Sequence, residues 1–275
     1  MNRNITTDAL VIHVSPSGEN DRMLTLLSAE HGQLSVLAKG ARSLKNRYMP
    51  ATVPYVYGNY ELAPAKSGDL YILRDATPSE AFRAIGNDIV KTYLAQYIVD
   101  VACELSAPAV PAAELLSLTL NSLFAIASDK RDRDLVKAVF ELRAAAMSGY
   151  EPDLECCRMC GNAVGELSYL DVMNGGLLCP ECAGKAPKLP ADAPKGAVPT
   201  DEFGTRSILM PLSPSALAAM KYAIEAPGPK MLSFGISSKT DKNYFCKAAE
   251  TYLLSHLERG FPSHKQYKEL TAAER

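Results

Sequence analysis

An excess of charge of one sign is what this sequence lacks. Lysine and arginine number 29 against 31 aspartates and glutamates, a formal net charge of −2 over 275 residues. So balanced a chain has no global field to attract a polyanion, and any nucleic-acid surface must come from local clustering of cations. Long apolar runs are missing too. The most apolar stretch, residues 105–128, is interrupted by Pro108, Pro111 and Glu114 and is too broken to span a bilayer. Met1-Asn2-Arg3-Asn4 is not followed by an apolar leader, so no signal peptide is expected. Histidine is scarce: His13, His31, His256 and His264 are scattered and read as surface or strand residues rather than bases. No H-E-x-x-H, G-x-S-x-G or G-x-x-x-x-G-K-[ST] pattern occurs, and no close carboxylate pair stands outside solvated helix faces. A non-enzymatic role is therefore expected.

What the sequence does have is a pair of cysteine doublets, Cys157-Arg158-Met159-Cys160 and Cys179-Pro180-Glu181-Cys182. Residues 161–178 separate them, which fits the spacing of a four-thiolate zinc site. Two thiolates from each of two turns close a tetrahedral shell at about 2.3 Å per Zn–S bond. A closed shell leaves no position for water or substrate, so one structural Zn²⁺ is expected, with redox thiols as the alternative. Cys156 can replace Cys157 through a three-residue spacing, but Gly161 after Cys160 favours the ordinary knuckle with Cys157. Cys103 and Cys246 lie in apolar helical patterns and read as core thiols. Seven cysteines, four of them in metal doublets, suit the cytoplasm better than a disulfide framework.

Along the chain, short apolar β-rich runs with turn punctuation fill residues 8–76: 9–15, 22–28, 33–38, 55–62 and 71–76, with a turn at Lys66-Ser67-Gly68-Asp69. Five such strands predict a small closed barrel, an OB-fold first and an SH3-like barrel second. Thr77-Pro78-Ser79-Glu80 reads as a capping box that opens the helices. Further helices are expected from Asn87 or Asp88 to Glu104, from Pro111 to Ser128, and from Asp132 to Ser148 with Gly149 as the stop. Two more are expected at Ser213–Ala226 and Lys242–Arg259. Residues 185–206 read as a linker, and 265–275 as a frayed end. The fold class is thus α+β and multi-domain: an OB-fold barrel (1–79), a helical domain in two parts (80–152 and 186–262) carrying a zinc module (153–185), and a tail (263–275).

The densest cation cluster is Lys39-Gly40-Ala41-Arg42-Ser43-Leu44-Lys45-Asn46-Arg47, four cations with no acid, on a loop after the third strand. Spaced cations on a barrel rim can follow a phosphate backbone; a solvated basic loop is the plainer alternative. Tyr57 on the next strand can stack on an unpaired base, Tyr55 shares its face and Tyr60 takes the other. Arg22 flanks the same surface, with Arg74 as a weaker candidate. A second basic set, which includes Lys221, Lys242 and Lys247, lies in the C-terminal helices and suits either solubility or a partner.

Taken together these residues resemble the RecO family of bacterial recombination mediators over nearly the whole chain. The similarity runs through Ala9-Leu10-Val11-Ile12, Glu19-Asn20-Asp21-Arg22, Gly32-Gln33-Leu34, Ala38-Lys39-Gly40-Ala41-Arg42, Phe140-Glu141-Leu142-Arg143, Gly149-Tyr150-Glu151-Pro152, the four cysteines with Gly175-Gly176, and Tyr252-Leu253-Leu254-x-His256-Leu257. The resemblance implies binding to single- and double-stranded DNA, annealing of complementary strands, and loading of RecA onto strands coated by single-strand binding protein. It implies RecR as main partner, contact with the acidic tail of single-strand binding protein, a functional link to RecF, and a cytoplasmic, nucleoid-associated protein. For that tail, Lys221, Lys242 and Lys247 are the candidate cations. A zinc-stabilised interaction scaffold with little DNA binding of its own is the alternative.

Overall fold

The computed structural model describes residues 4–66, 69–186 and 207–273. The predicted Ser67-Gly68 turn and most of the predicted linker (187–206) lie outside the described residues. Contacts divide the chain into two units, residues 1–130 with 261–275, and residues 131–260.

The first unit begins with five strands: β1 (Ile5–Ser17), β2 (Asp21–Ser28), β3 (Gly32–Ala38), β4 (Val56–Pro64) and β5 (Leu70–Ala81). They close into a barrel in the order β1-β2-β3-β5-β4. All neighbours are antiparallel except β3 and β5, which the long 39–55 connection leaves parallel. This closed five-stranded, OB-like barrel is the one predicted. Alternation puts Ala9, Val11, Leu24, Leu26, Leu34, Val36, Val56, Tyr60 and Leu62 in its core. Tyr60 is wholly buried, so its phenol needs a partner and donates to the Ala51 carbonyl at 2.9 Å.

β5 is longer than expected. Thr77-Pro78-Ser79-Glu80 is strand, not a capping box. Gly58 pairs with Pro78 and Tyr57 with Glu80, so one residue bulges where the proline has no N–H to give. Long-range pairing with β4 outweighs the local capping preference.

The helices start at α1 (Ile89–Leu105), where the Asp88 carboxylate accepts from the N–H groups of Val90 and Lys91 at 2.8 and 3.0 Å. α2 (Ala113–Ser128) follows. Gly32 is the tight point against the barrel. Its φ is +61°, and a Cβ there would stand 2.2 Å from the Ala107 oxygen and 2.3 Å from the Val110 oxygen. Beside it the Gln33 side chain donates to the Cys103 carbonyl at 2.5 Å. As far as residue 273 the expected frayed end is instead a helix: α7 (Pro262–Ala273) has His264 and Tyr267 buried, and the Tyr97 ring packs on His264 and Phe261. Those aromatic anchors hold a segment that its polar composition alone would leave loose.

In the second unit, α3 (Arg133–Met147) is capped by Asp132, which accepts from Asp134 N at 3.0 Å and Leu135 N at 3.2 Å. Gly149 takes a positive φ of 88° just past its end. A small sheet of order β6-β8-β7-β9 comes next, built from β6 (Asp153–Cys157), β7 (Ser168–Asp171), β8 (Gly176–Leu178) and β9 (Leu209–Leu212), with the short α4 (Pro180–Gly184) after β8. Helices α5 (Pro214–Glu225) and α6 (Lys239–Leu257) complete it. α6 starts three residues before Lys242 because Ser238 caps it, accepting from Asp241 N. Among the described residues no helix is long and apolar enough to cross a membrane.

Candidate nucleic-acid interface and metal site

The four sulfurs of Cys157, Cys160, Cys179 and Cys182 lie within 4.8 Å of one another. Local chain geometry explains the convergence. Cys157 ends β6, and the chain turns back at Gly161, whose φ is +71° and whose N–H bonds the Cys157 carbonyl at 2.8 Å. Cys179 follows β8 and is the cap residue of α4, which carries Cys182 nearly one turn on. The two doublets meet because β6 and β8 are neighbours, with Arg158 N donating to Leu177 O at 2.8 Å. The sulfurs of Cys160 and Cys179 are 3.9 Å apart. The edge of a tetrahedron of 2.3 Å Zn–S bonds is about 3.8 Å. Cys156 is not in the cluster; Cys157 is.

Electrostatics favour a thiolate at Cys157, while the neighbouring Cys179 thiol and then burial push Cys182 up to about 12. Burial raises the Cys157 thiol, but N–H groups of Cys179, Cys160 and Met159 aim at its sulfur and bring it down to about 6. Backbone donors arranged around a thiolate are the setting of a metal knuckle, so the residues present can hold a metal ion. Arg158 also reaches Asp171 at 3.1 Å, and Asn174 bonds the same carboxylate at 2.9 Å. This brace behind the first knuckle was not foreseen; Arg158 lies in plain view between the cysteines, but its partner comes from another strand.

Cys246 is half-buried rather than fully buried, and burial pushes its thiol up to about 12, so it is inert at neutral pH. Cys103 is also half-buried.

The cation loop is an ordered structure. Gly40 N donates to the Asp21 carboxylate at 2.7 Å, Arg42 N to the Asn20 carbonyl at 3.0 Å, and the Ala41 side chain is buried. Asn46 ties both sides together: its amide donates to Lys39 O at 3.1 Å, and its oxygen accepts from Tyr48 N at 2.8 Å. On this frame Lys39, Arg42, Lys45 and Arg47 are all exposed. Two have protein contacts as well. Arg42 donates to Gly18 O at 3.2 Å, while Arg47 bonds the Tyr48 hydroxyl, lies over that ring at 4.6 Å and sits 3.8 Å from Asp75.

Arg22 is engaged below the loop, where its guanidinium donates to the Thr52 carbonyl at 2.9 Å and hydroxyl at 3.1 Å. Tyr57 faces outward on β4, half-buried, opposite Leu10 and Glu80; burial and then Asp8 raise its phenol. Its neighbours are thus acidic, unlike those of the loop. Tyr55 precedes the strand and bonds Gln96 at 2.9 Å.

In the second unit Lys221 pairs with Glu155 at 2.9 Å, in a shallow groove also lined by Glu151, Asp153 and Glu225. Lys242 pairs with Asp132 at 2.7 Å. Lys247 is exposed on α6. The structure does not gather these three lysines into one described pocket.

Residues 1–82 match the family described as recombination protein O N terminal, and residues 86–265 match recombination protein O C terminal. The chain is 28% identical to the DNA repair protein RecO of Acetivibrio thermocellus over 94% of this chain and 93% of that one. It is 33% identical to the DNA repair protein RecO of Anaeromyxobacter sp. strain K over 79% of this chain and 82% of the other. For the Desulfitobacterium hafniense protein of the same name the identity is 34% over 64% of this chain and 63% of the relative.

Proposed function

Because the chain belongs to the recombination protein O family, we propose that it is a non-enzymatic mediator that binds single- and double-stranded DNA and anneals complementary strands. The family carries the coarser role, DNA repair and recombination. The observation behind the finer reading is the exposed, internally braced loop with Lys39, Arg42, Lys45 and Arg47 in a chain of net charge −2. Annealing needs two polyanions held close, and a cationic rim screens their repulsion without covalent chemistry. Arg22 holds the loop's far end through Thr52, and Tyr57 is the aromatic candidate for a base on the adjoining strand.

In the same reading the protein works with RecR to load RecA onto strands coated by single-strand binding protein, with a link to RecF. The acidic tail of that coating protein is assigned to the α6 region, with Lys247 free to meet it. Lys242 and Lys221 would first have to exchange Asp132 and Glu155 for it. The four-sulfur cluster is assigned one structural Zn²⁺, which supplies folding energy to a module too small to hold a core unaided.

The test is salt-dependent binding of fluorescent single-stranded DNA. Four phosphate contacts on a single strand predict a slope of about −2.8 in log K against log salt. Replacing Lys39, Arg42, Lys45 and Arg47 together by alanine is expected to weaken binding and to flatten that slope. A quadruple variant that binds and anneals like its parent sinks the rim assignment. A parent with negligible slope favours the scaffold reading instead, which the internal pairing of Lys221 and Lys242 would suit. Annealing of coated strands with and without RecR checks the partner.

A further inference from the structure

Leu44 stands at the tip of the cation loop with 86% of its surface exposed. A lone exposed leucine is ordinary on a protein surface. This one is held out by design of the backbone. The N–H of Asn46 bonds the carbonyl of Ser43 at 3.0 Å, which makes Leu44 and Lys45 the corner of a tight turn. Ser43 N bonds Gly40 O at 3.0 Å, and the Ser43 hydroxyl accepts from Lys45 N at 3.4 Å. Asn46 then locks both legs of the loop. These bonds fix the backbone of Leu44 at the tip, where its side chain stands exposed.

Exposed cations surround the tip in sequence: Arg42 on one side, Lys45 and Arg47 on the other. An apolar projection flanked by cations matches one kind of ligand, a chain of alternating apolar and anionic parts. We propose that Leu44 inserts between successive bases of a single DNA strand while the flanking cations hold the phosphates on either side. The proposal rests on the DNA-binding reading and assigns it a base contact.

Magnitude favours a single strand over a duplex. Unstacking a duplex step costs a few kcal/mol, and a wedge repays it only where the bend brings further protein into contact. Burying one leucine returns about 1.5–3 kcal/mol at most. In an unpaired strand the bases stack only in part and no base pair has to open, so the same side chain yields a net gain and still finds stacked bases to separate. A strand whose bases are spread and whose phosphates are neutralised is also ready to meet its complement, which links the wedge to annealing.

The test uses the full chain and an oligonucleotide carrying the fluorescent base 2-aminopurine, single-stranded or in a duplex, with Leu44→Ser beside the parent. The parent is expected to brighten the base in the single strand and not in the duplex. Leu44→Ser should bind roughly ten-fold more weakly, with the salt slope unchanged and the brightening lost. Leu44→Met should restore it. If the parent shows the salt slope but Leu44→Ser brightens the base equally, the wedge is wrong and the cationic rim stands. If parent and variant both lack a salt slope, the DNA-binding reading fails and the wedge with it. Brightening only in the duplex also overturns the proposal, because the site is then a duplex wedge.

Discussion

The sulfur of Cys160 lies 3.9 Å from that of Cys179, a tetrahedral-edge distance reached across 18 intervening residues (161–178). A metal held by these sulfurs would therefore belong to the folded module and not to either doublet alone. Elemental analysis is expected to find about one zinc per chain. Cys160→Ser or Cys179→Ser should lose it, while Cys156→Ser keeps it. Chelation should raise protease sensitivity within 153–186 first. A folded, metal-free protein with four freely titrating thiols would contradict the assignment.

Gly32 and Gly18 make a matched pair. Both have a positive φ, +61° and +62°, but only Gly32 faces backbone within contact distance of an added Cβ. Gly18→Ala should cost about 1 kcal/mol, the conformational term alone. Gly32→Ala adds a clash with the Ala107 and Val110 carbonyls and should cost more than about 2 kcal/mol. Urea denaturation of the two variants distinguishes the terms, and equal losses would remove the packing explanation.

Buried Lys137 and Glu141 and half-buried Glu250 form an ion triad between α3 and α6, with Lys137 Nζ at 2.9 Å from Glu141 and 2.8 Å from Glu250. Glu141 is wholly buried. Desolvation lowers the Lys137 ammonium, but Glu141 and Glu250 outweigh it and raise it. Lys137→Ala removes the buried cation that faces both carboxylates and should destabilise by about 3–5 kcal/mol. Lys137→Met combined with Glu141→Gln should recover much of the loss; if the double variant is no better than Lys137→Ala, stranded charge is not the cause.

Asp132 caps α3 and pairs with Lys242. Burial pushes its carboxyl up, but the Lys242 ammonium and the N–H groups of Leu135 and Asp134 prevail and lower it. A lowered native value means the unfolded chain binds the proton more tightly. The contribution is therefore complete above the ordinary carboxylate range and fades as pH falls below about 3.8 toward the native value. Asp132→Ala should cost about 1 kcal/mol at pH 7. The gap between variant and parent should narrow in acid, and a constant gap between pH 7 and pH 3 would rule out the charge contribution.

Phe140-Glu141-Leu142-Arg143 is a segment whose importance is legible and whose reason is not. Phe140 and Leu142 are buried at helical spacing, as the apolar pattern predicts. Glu141 and Arg143 look like surface charges. Instead Glu141 lies in the ion triad, and the Arg143 guanidinium donates to the carbonyls of Ala223 and Ala226 at 3.0 and 2.7 Å, closing the end of α5. The Arg143 partners lie 80 residues or more along the chain, beyond any local periodicity, and although Lys137 stands one turn before Glu141, the Glu250 that shares it comes from α6.

The amino-acid sequence by itself determined the local features: the knuckle at Cys160-Gly161, the helix start at Asp132 and, to within one residue, that at Asp88, the alternation that fills the barrel, and the density of cations from 39 to 47. Each depends on atoms within a few residues of one another, so spacing and side-chain type suffice. The tertiary structure decided the rest. It drew Thr77–Glu80 into β5 by pairing with β4, selected Cys157 over Cys156, anchored the C-terminal helix through Tyr97, and turned Arg22 inward to Thr52. For the loop, charge was readable in the chain. That Leu44 projects from it depends on the bonds of Asn46, whose two faces tie together residues that only the fold brings side by side.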